Sequence, residues 1–172
     1  MAAPNKILPG FAASFWMQTG ATPTPLTVAN LAVWTAQVAT IVGTAANGTG
    51  AAGMAVNVEA VPAFGQDDAV ASFGVAGSRQ SDKIPTQSAP TSMTITAPWN
   101  PSDAALLQIR SDSANGITDR TYVVAAVDGA TTIAYAFNGR VSQFQIDPAP
   151  GAEAKCTFTI HPRGNQYGWS NT

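Results

Sequence analysis

Charge is scarce in this chain. Asp, Glu, Lys and Arg together make up 10% of its 172 residues, against the roughly 25% usual in soluble domains, while apolar residues reach 45%. A free monomer ordinarily keeps itself soluble with charge, so the shortage leaves two readings: partners cover much of the surface, or Ala, Thr and Ser dissolve the domain through hydroxyls and amides. The single Cys156 excludes an internal disulfide and reads as a small core residue. The single His161, in a turn context before Pro162, reads as a solvated or capping group rather than a catalytic one, and no second His or Cys is present for a zinc site. No apolar run approaches the ~20 residues of a membrane span. The start, Lys6 followed by Ile7, Leu8, Pro9 and Gly10, lacks the continuous apolar region of a signal peptide, so synthesis in the cytoplasm and no membrane insertion are expected. A net charge of −2 argues against a protein that grips nucleic acid, which needs clustered Lys and Arg. Asp67-Asp68 lacks the alternating ligand pattern of a calcium loop, and no serine has a base in a recognisable relation to it. No enzyme, cofactor or metal site is expected.

What the chain does have is a dense run of β-branched and aromatic residues over 119–164, broken by Gly and Pro turn chemistry. Asp128-Gly129 fits a two-residue hairpin turn that pairs Val127 with Ala130, Val124 with Ile133 and Tyr122 with Tyr135. Tyr122, Val124 and Ala126 then share an apolar face with Ile133, Tyr135 and Phe137. Large apolar positions are odd-numbered there but even-numbered at Phe144 and Ile146, so keeping all on one face requires one extra residue between them; a bulge or tight bend is expected at Asn138-Gly139. After a turn at Pro148 to Gly151, Cys156, Phe158 and Ile160 alternate with Lys155, Thr157, Thr159 and His161.

At 172 residues the chain is long enough for one domain that buries roughly 70% of its unfolded surface. Residues 1–30 carry Pro4, Pro9, Pro23 and Pro25 around Phe11, Phe15, Trp16 and Met17 and read as an extended arm, which either folds back on its own body or reaches a neighbour. Val33, Trp34, Val38, Ile41 and Val42 form a strand or a short helical turn. Gly48, Gly50 and Gly53 match the spacing of a dinucleotide fingerprint, with Asp67 or Asp68 about 20 residues on. That fingerprint requires the glycines to open a helix, whereas the following MAVNVEAVP alternates as a strand, so the glycines are a loop. Residues 62–90, which hold Asp67, Asp68, Arg79, Asp82 and Lys83, read as a long loop, either solvated or ordered by a partner. Ser92 to Thr96 alternates as a strand. Asn100 as cap, Pro101 at the first position and Asp103 in the first turn open a helix with Ala105, Leu106 and Ile109 on its apolar stripe and Asn115-Gly116 at its end. The tail 164–172 carries Tyr167 and Trp169, which need a fold-back site or a neighbour.

The succession SMTITAPWNP, SDAALLQIRSD, TYVVAAVDGATTIAYAF, FNGRVSQF and a closing strand ending HPRG resembles the tail tube proteins of long-tailed, non-contractile bacteriophages of the lambda type, with weaker similarity in MAAPNKILPGFAASFWMQTG. The resemblance implies a mainly β subunit, a β-sandwich or barrel-like tail tube fold in one domain over 1–172, with one short α-helix, an N-terminal arm, a long loop and a C-terminal tail. It further implies hexameric rings stacked into a hollow tube in the virion tail. Tape-measure, tail tip and tail terminator proteins would be its partners, and double-stranded DNA would pass through without specific binding. The lambda-type relative carries an added immunoglobulin-like domain after this point, which is not expected here. On this reading Phe11, Phe15, Trp16, Asp67, Asp68, Arg79, Lys83, Tyr167 and Trp169 are expected at ring–ring or subunit interfaces, and Gln143, Gln145, Thr157 and Thr159 are expected to face the lumen. Two other readings account for the same strands: the tube protein of a bacterial injection or secretion system, and a monomeric β-sandwich binding module.

Overall fold

Alternation of apolar and polar residues with a period of two dominates the chain, and strands follow from it. The computed structural model describes residues 13–20, 53–63, 65–74, 81–128, 131–148 and 152–171. They form β1 (Ala13–Gln18), β2 (Gly53–Val56), β3 (Gln66–Gly74), β4 (Ser81–Pro90), β5 (Met93–Pro98), α1 (Ala104–Asn115), β6 (Arg120–Asp128), β7 (Thr131–Asp147) and β8 (Lys155–Asn171). The protein is mainly β, with one helix among the described residues. Six strands make an antiparallel sheet in the order β2-β1-β6-β7-β8-β5, and β3 pairs with β4 in a separate two-stranded sheet. The Glu59 backbone N–H donates to the Thr96 carbonyl at 3.0 Å, so the chain just beyond edge strand β2 lies against edge strand β5 and the sheet curls round on itself. The expected strand and short-turn reading of 33–42, and Gly48 and Gly50, fall outside the described residues.

One face of the sheet carries the core. Phe15, Met17, Val56, Met93, Ile95, Leu106, Ile109, Tyr122, Val124, Phe137, Val141, Cys156, Phe158 and Ile160 are buried together. Aromatic rings run through it in sequence, Phe15 on Tyr122 and Tyr122 on Phe137, each pair with centroids 5.8 Å apart. Phe144 stacks on Phe158 and meets Trp99 edge-on at the other end.

Several expectations change in the folded chain. Residues 13–18, expected in an extended arm, are an interior strand between β2 and β6. Residues 66–90, expected as a loop, are a β-hairpin with an irregularity between Ala69 and Val70. Residues 164–171, expected as a tail, continue β8 alongside Thr132 to Ala136 of β7. The β6–β7 register is shifted by two residues from the Asp128-Gly129 reading, since Asp128 pairs with Thr131 and Tyr122 with Phe137 instead of Tyr135, yet the same residues share a face because the shift is even. The extra residue needed between Phe137 and Phe144 is present but sits elsewhere. Pairing of β6 with β7 runs unbroken through Asn138 and Gly139; the β7–β8 pairing is irregular next to them, between Ala136 and Asn138, with the additional residues on β8, and its register slips by one, with the extra residue on β7, between Ser142 and Gln145, around Gln143 at φ 56°. Ile146, placed by parity on the apolar face, is exposed. Gly139 instead serves close approach: a Cβ there would lie 2.9 Å from Ile160 Cγ2 and 3.1 Å from the His161 carbonyl oxygen.

Helix α1 starts at Asp103, not Asn100. The Asp103 carboxylate accepts from the backbone N–H groups of Ala105 at 2.9 Å and Leu106 at 3.4 Å, while Asn100 closes the preceding turn by accepting from Ser102 N–H. The helix ends as expected at Gly116, whose φ of 67° favours glycine. Asp112 is buried one turn beyond Ile109 and forms a two-pronged ion pair with the fully buried Arg120 at the start of β6. Arg120 Nη2 donates to Asp112 Oδ1 at 3.0 Å and its Nη1 to the Gln18 carbonyl at 3.0 Å; Gln108 Nε2 donates to the same carboxylate. Helix, β6 and β1 are thereby joined at one buried charge pair.

Candidate subunit interfaces and lumen face

The outward side of β5, β8 and the later part of β7 is built from hydroxyls and amides, because each strand alternates them with core residues. Thr94 stands opposite Thr159, Thr96 opposite Thr157 and Gln145 opposite Thr157. Thr159 is only 8% exposed: its hydroxyl lies 3.3 Å from Thr94 Oγ1 and donates to Gln143 Oε1 at 3.3 Å. The left-handed backbone at Gln143 is what turns its side chain back over this row. All four expected lumen residues, Gln143, Gln145, Thr157 and Thr159, therefore share one polar face. His161 continues it, with Nδ1 2.9 Å from Ser92 Oγ and Nε2 2.7 Å from Ser142 Oγ.

Charge lies at the borders of that face. Asp119 receives a fork from Arg140, Nε at 2.7 Å and Nη2 at 3.1 Å, and a further bond from Arg163 Nη1 at 3.0 Å. Hydrogen bonding from Arg140 outweighs partial burial and holds the Asp119 carboxyl below its ordinary range, while Asp119 in turn raises the Arg140 guanidinium. At the opposite border Lys155 Nζ meets Glu59 Oε1 at 2.5 Å, and this hydrogen bond raises the lysine. Beside that pair a cleft of about 410 Å³ opens along β2, lined by a mixture of apolar and polar residues that includes Phe15, Val56, Ser14, Asn57, Glu59 and Glu153. Among the described residues no three His, Cys, Asp or Glu side chains converge to hold a metal.

The expected interface residues are dispersed. Phe15 packs in the core against Tyr122, and Trp16, on the opposite face of β1, is also buried within this chain. Asp67 and Asp68 lie in β3 and Lys83 in β4, and Tyr167 and Trp169 lie in β8. Phe11 and Arg79 fall outside the described residues.

No protein-family model matches the chain, and no curated protein sequence does. Solved structures do. The chain is similar to a component of the anti-feeding prophage baseplate, with a TM-score of 0.62 and 8% identity over 98% of this chain and 97% of that one. It is equally similar to a chain of the PVC extracellular contractile injection system, from the structure of its sheath/tube terminator in the extended state, with a TM-score of 0.62 and 11% identity over 99% and 100%. The SPP1 tail tube matches with a TM-score of 0.57 and 11% identity over 94% of this chain and 78% of that one. Its structural neighbours are tail tube and baseplate proteins. At such low identity the shared property is the fold, and these neighbours are structural components rather than enzymes.

Sequence reading missed both Arg pairs and the cleft. Asp112 follows Ala105 and Ile109 at helical spacing, so its place on the buried stripe was visible as a pattern. The convergence of Asp119, Arg140 and Arg163, separated by 21 and 44 residues, depends on β7–β8 pairing and had no local signal.

Proposed function

We propose that this chain is the structural, non-enzymatic subunit of a bacteriophage tail tube, in which hexameric rings stack into a hollow conduit for DNA during ejection. The observation that carries the reading is a fold likeness extending over nearly the whole chain, to nearly the whole of the matched baseplate and injection-system chains and to 78% of the SPP1 tail tube chain. Among the described residues β2 and β5 stand at the ends of the sheet, and further strand pairing with a neighbouring copy there would satisfy ladder groups that edge strands leave open. The hydroxyl and amide face of Gln143, Gln145, Thr157 and Thr159 would line the lumen, where Gln and Thr do not hold phosphates as arginine clusters do. The β3–β4 hairpin, with Asp67, Asp68 and Lys83, and the far end of β8, with Tyr167 and Trp169, would tie copies together. Tape-measure, tip and terminator proteins would complete a virion tail assembled in the bacterial cytoplasm.

A second reading has a specific observation in its favour: the PVC system is an extracellular contractile injection system, so the chain could serve as the tube of such a machine. Electron microscopy of the purified chain, concentrated and seeded with its native particles, tests the common core. Sixfold rings or tubes are expected, and a monodisperse monomer under all these conditions refutes it. Finding the tube inside a contractile sheath decides for the injection device.

A further inference from the structure

Two guanidinium groups share one carboxylate at the border of the polar face. Val141 and Ile160 point into the core, so Arg140 and Arg163 stand on the outward side of β7 and β8 with Ser142 and Thr159. Arg140 is directly opposite His161, and Arg163 lies two residues further along β8. Asp119, in the loop between α1 and β6, reaches over to both. Its Oδ1 accepts from Arg140 Nε at 2.7 Å and Arg163 Nη1 at 3.2 Å, and its Oδ2 from Arg140 Nη2 at 3.1 Å and Arg163 Nη1 at 3.0 Å. Each carboxylate oxygen thus takes one bond from each arginine.

The charges do not balance. Two cations face one anion, which leaves a surplus of one positive charge on a chain whose net charge is −2. Hydrogen bonding from Arg140 holds the Asp119 carboxyl below its ordinary range, so the anion is present at neutral pH. Arg163, 54% exposed, commits Nη1 alone; among the described residues its Nε and Nη2 have no partner. A guanidinium fork matches a phosphate as well as a carboxylate. Exposed ion pairs add little to stability, so the convergence of three charges here is poorly accounted for by folding alone.

Resting on the tube reading for what passes this face, we propose that Arg140 and Arg163 form a phosphodiester-contacting site that Asp119 occupies as a built-in counterion, so that the face meets nucleic acid without holding it. The carboxylate stands where a backbone phosphate would sit and competes with it. The open donors of Arg163 and the residual positive charge still attract a phosphate, which is released as the next one arrives. In stacked copies the site recurs along the conduit as a series of weak contacts.

Binding of a short labelled DNA duplex to the full-length soluble chain, followed by fluorescence anisotropy over a range of salt, tests it. Asp119→Asn removes the competing charge with little change of shape, and should bind the duplex about tenfold more tightly than wild type at low salt, with a logarithmic salt slope steeper by about one. Adding Arg140→Gln and Arg163→Gln to Asp119→Asn should abolish that gain. A folded Asp119→Asn chain that binds no tighter than wild type overturns the site, as does a gain that survives loss of both arginines. If circular dichroism shows both Asp119→Asn and Asp119→Ala unfolded, Asp119 is a structural tie and the proposal fails. A gain for polyglutamate but not for the duplex makes the occupant a protein carboxylate and overturns the nucleic-acid assignment. Because this assay needs no assembly, rings seen by microscopy without the gain overturn the site and leave the tube reading standing, while the gain without rings or tubes does the reverse.

Discussion

Replacing Arg120 with Met would leave the Asp112 carboxylate almost fully buried, with the Gln108 amide as its remaining side-chain donor, and would strip the Gln18 carbonyl of the Arg120 Nη1 donor. Removing one partner of a buried ion pair costs about 3–5 kcal/mol, chiefly because the other charge stays desolvated and unmatched. In a chain of 172 residues each kcal/mol moves the melting temperature by about 2–4 °C, so Arg120→Met should melt about 6–20 °C below wild type. Asp112→Leu should lose a comparable amount, since it strands the guanidinium among core residues. The double variant Asp112→Leu/Arg120→Met should recover to within about 2 kcal/mol of wild type, because apolar residues of similar volume fill the site without a desolvation penalty. Urea titrations followed by circular dichroism read all four proteins, with an unchanged slope showing that native and unfolded states remain comparable. Single variants within about 1 kcal/mol of wild type, or a double variant as unstable as the sum of the singles, would refute the assignment of a buried charge pair joining α1 to the sheet.

Four further outcomes are expected. Gly139→Ala should destabilise the chain by about 1–3 kcal/mol, because its Cβ would press on Ile160 Cγ2 and the His161 carbonyl where β7 and β8 run closest; thermal melts check it. Asp119 has a folded-state value lowered from its ordinary 3.8, so its contribution is fully present above that value and is lost as pH falls through the lowered one; Asp119→Asn should flatten that acid limb of the stability–pH curve. Gln143→Val should be markedly less stable than Gln143→Gly, since φ 56° suits glycine and opposes a β-branched residue; parallel urea melts of the two compare them. If the Gln143 face lines the conduit, Gln143→Arg or Thr157→Arg should slow DNA release from particles, and unchanged ejection kinetics would remove the lumen assignment.

Strand identity and the inward faces were readable from residue order because a period of two writes itself directly into the sequence: Met93 and Ile95, Tyr122 and Val124, and Cys156, Phe158 and Ile160 are buried as alternation requires. The need for one extra residue between Phe137 and Phe144 was also legible from parity alone. Its position was not. A glycine at 139 looked like the natural bulge, but that glycine is required by the nearness of β8, and a non-glycine residue, Gln143, takes the left-handed backbone instead. Prolines misled twice. Pro85 and Pro90 lie in the segment read as a loop, yet both sit in β4, Pro85 opposite Val70 at the irregularity in β3 and Pro90 at the strand's end, positions where a strand tolerates proline. Pro101 suggested a helix start, but the Asp103 carboxylate captured two N–H groups and set the boundary there. The polar face was anticipated as a set because Gln and Thr alternate with core residues, whereas Asp119 with its two arginines came from three distant strands or loops and left no trace in local pattern.

Strands β7 and β8 each run 17 residues, roughly 55 Å of extended backbone, and lie antiparallel along most of that length. Their ladder bonds stand perpendicular to the chain direction, so tension applied along the strands loads many bonds at once in shear rather than opening them singly like a zip. A wall made with such pairs would yield to bending at the Gln143 kink before it stretched.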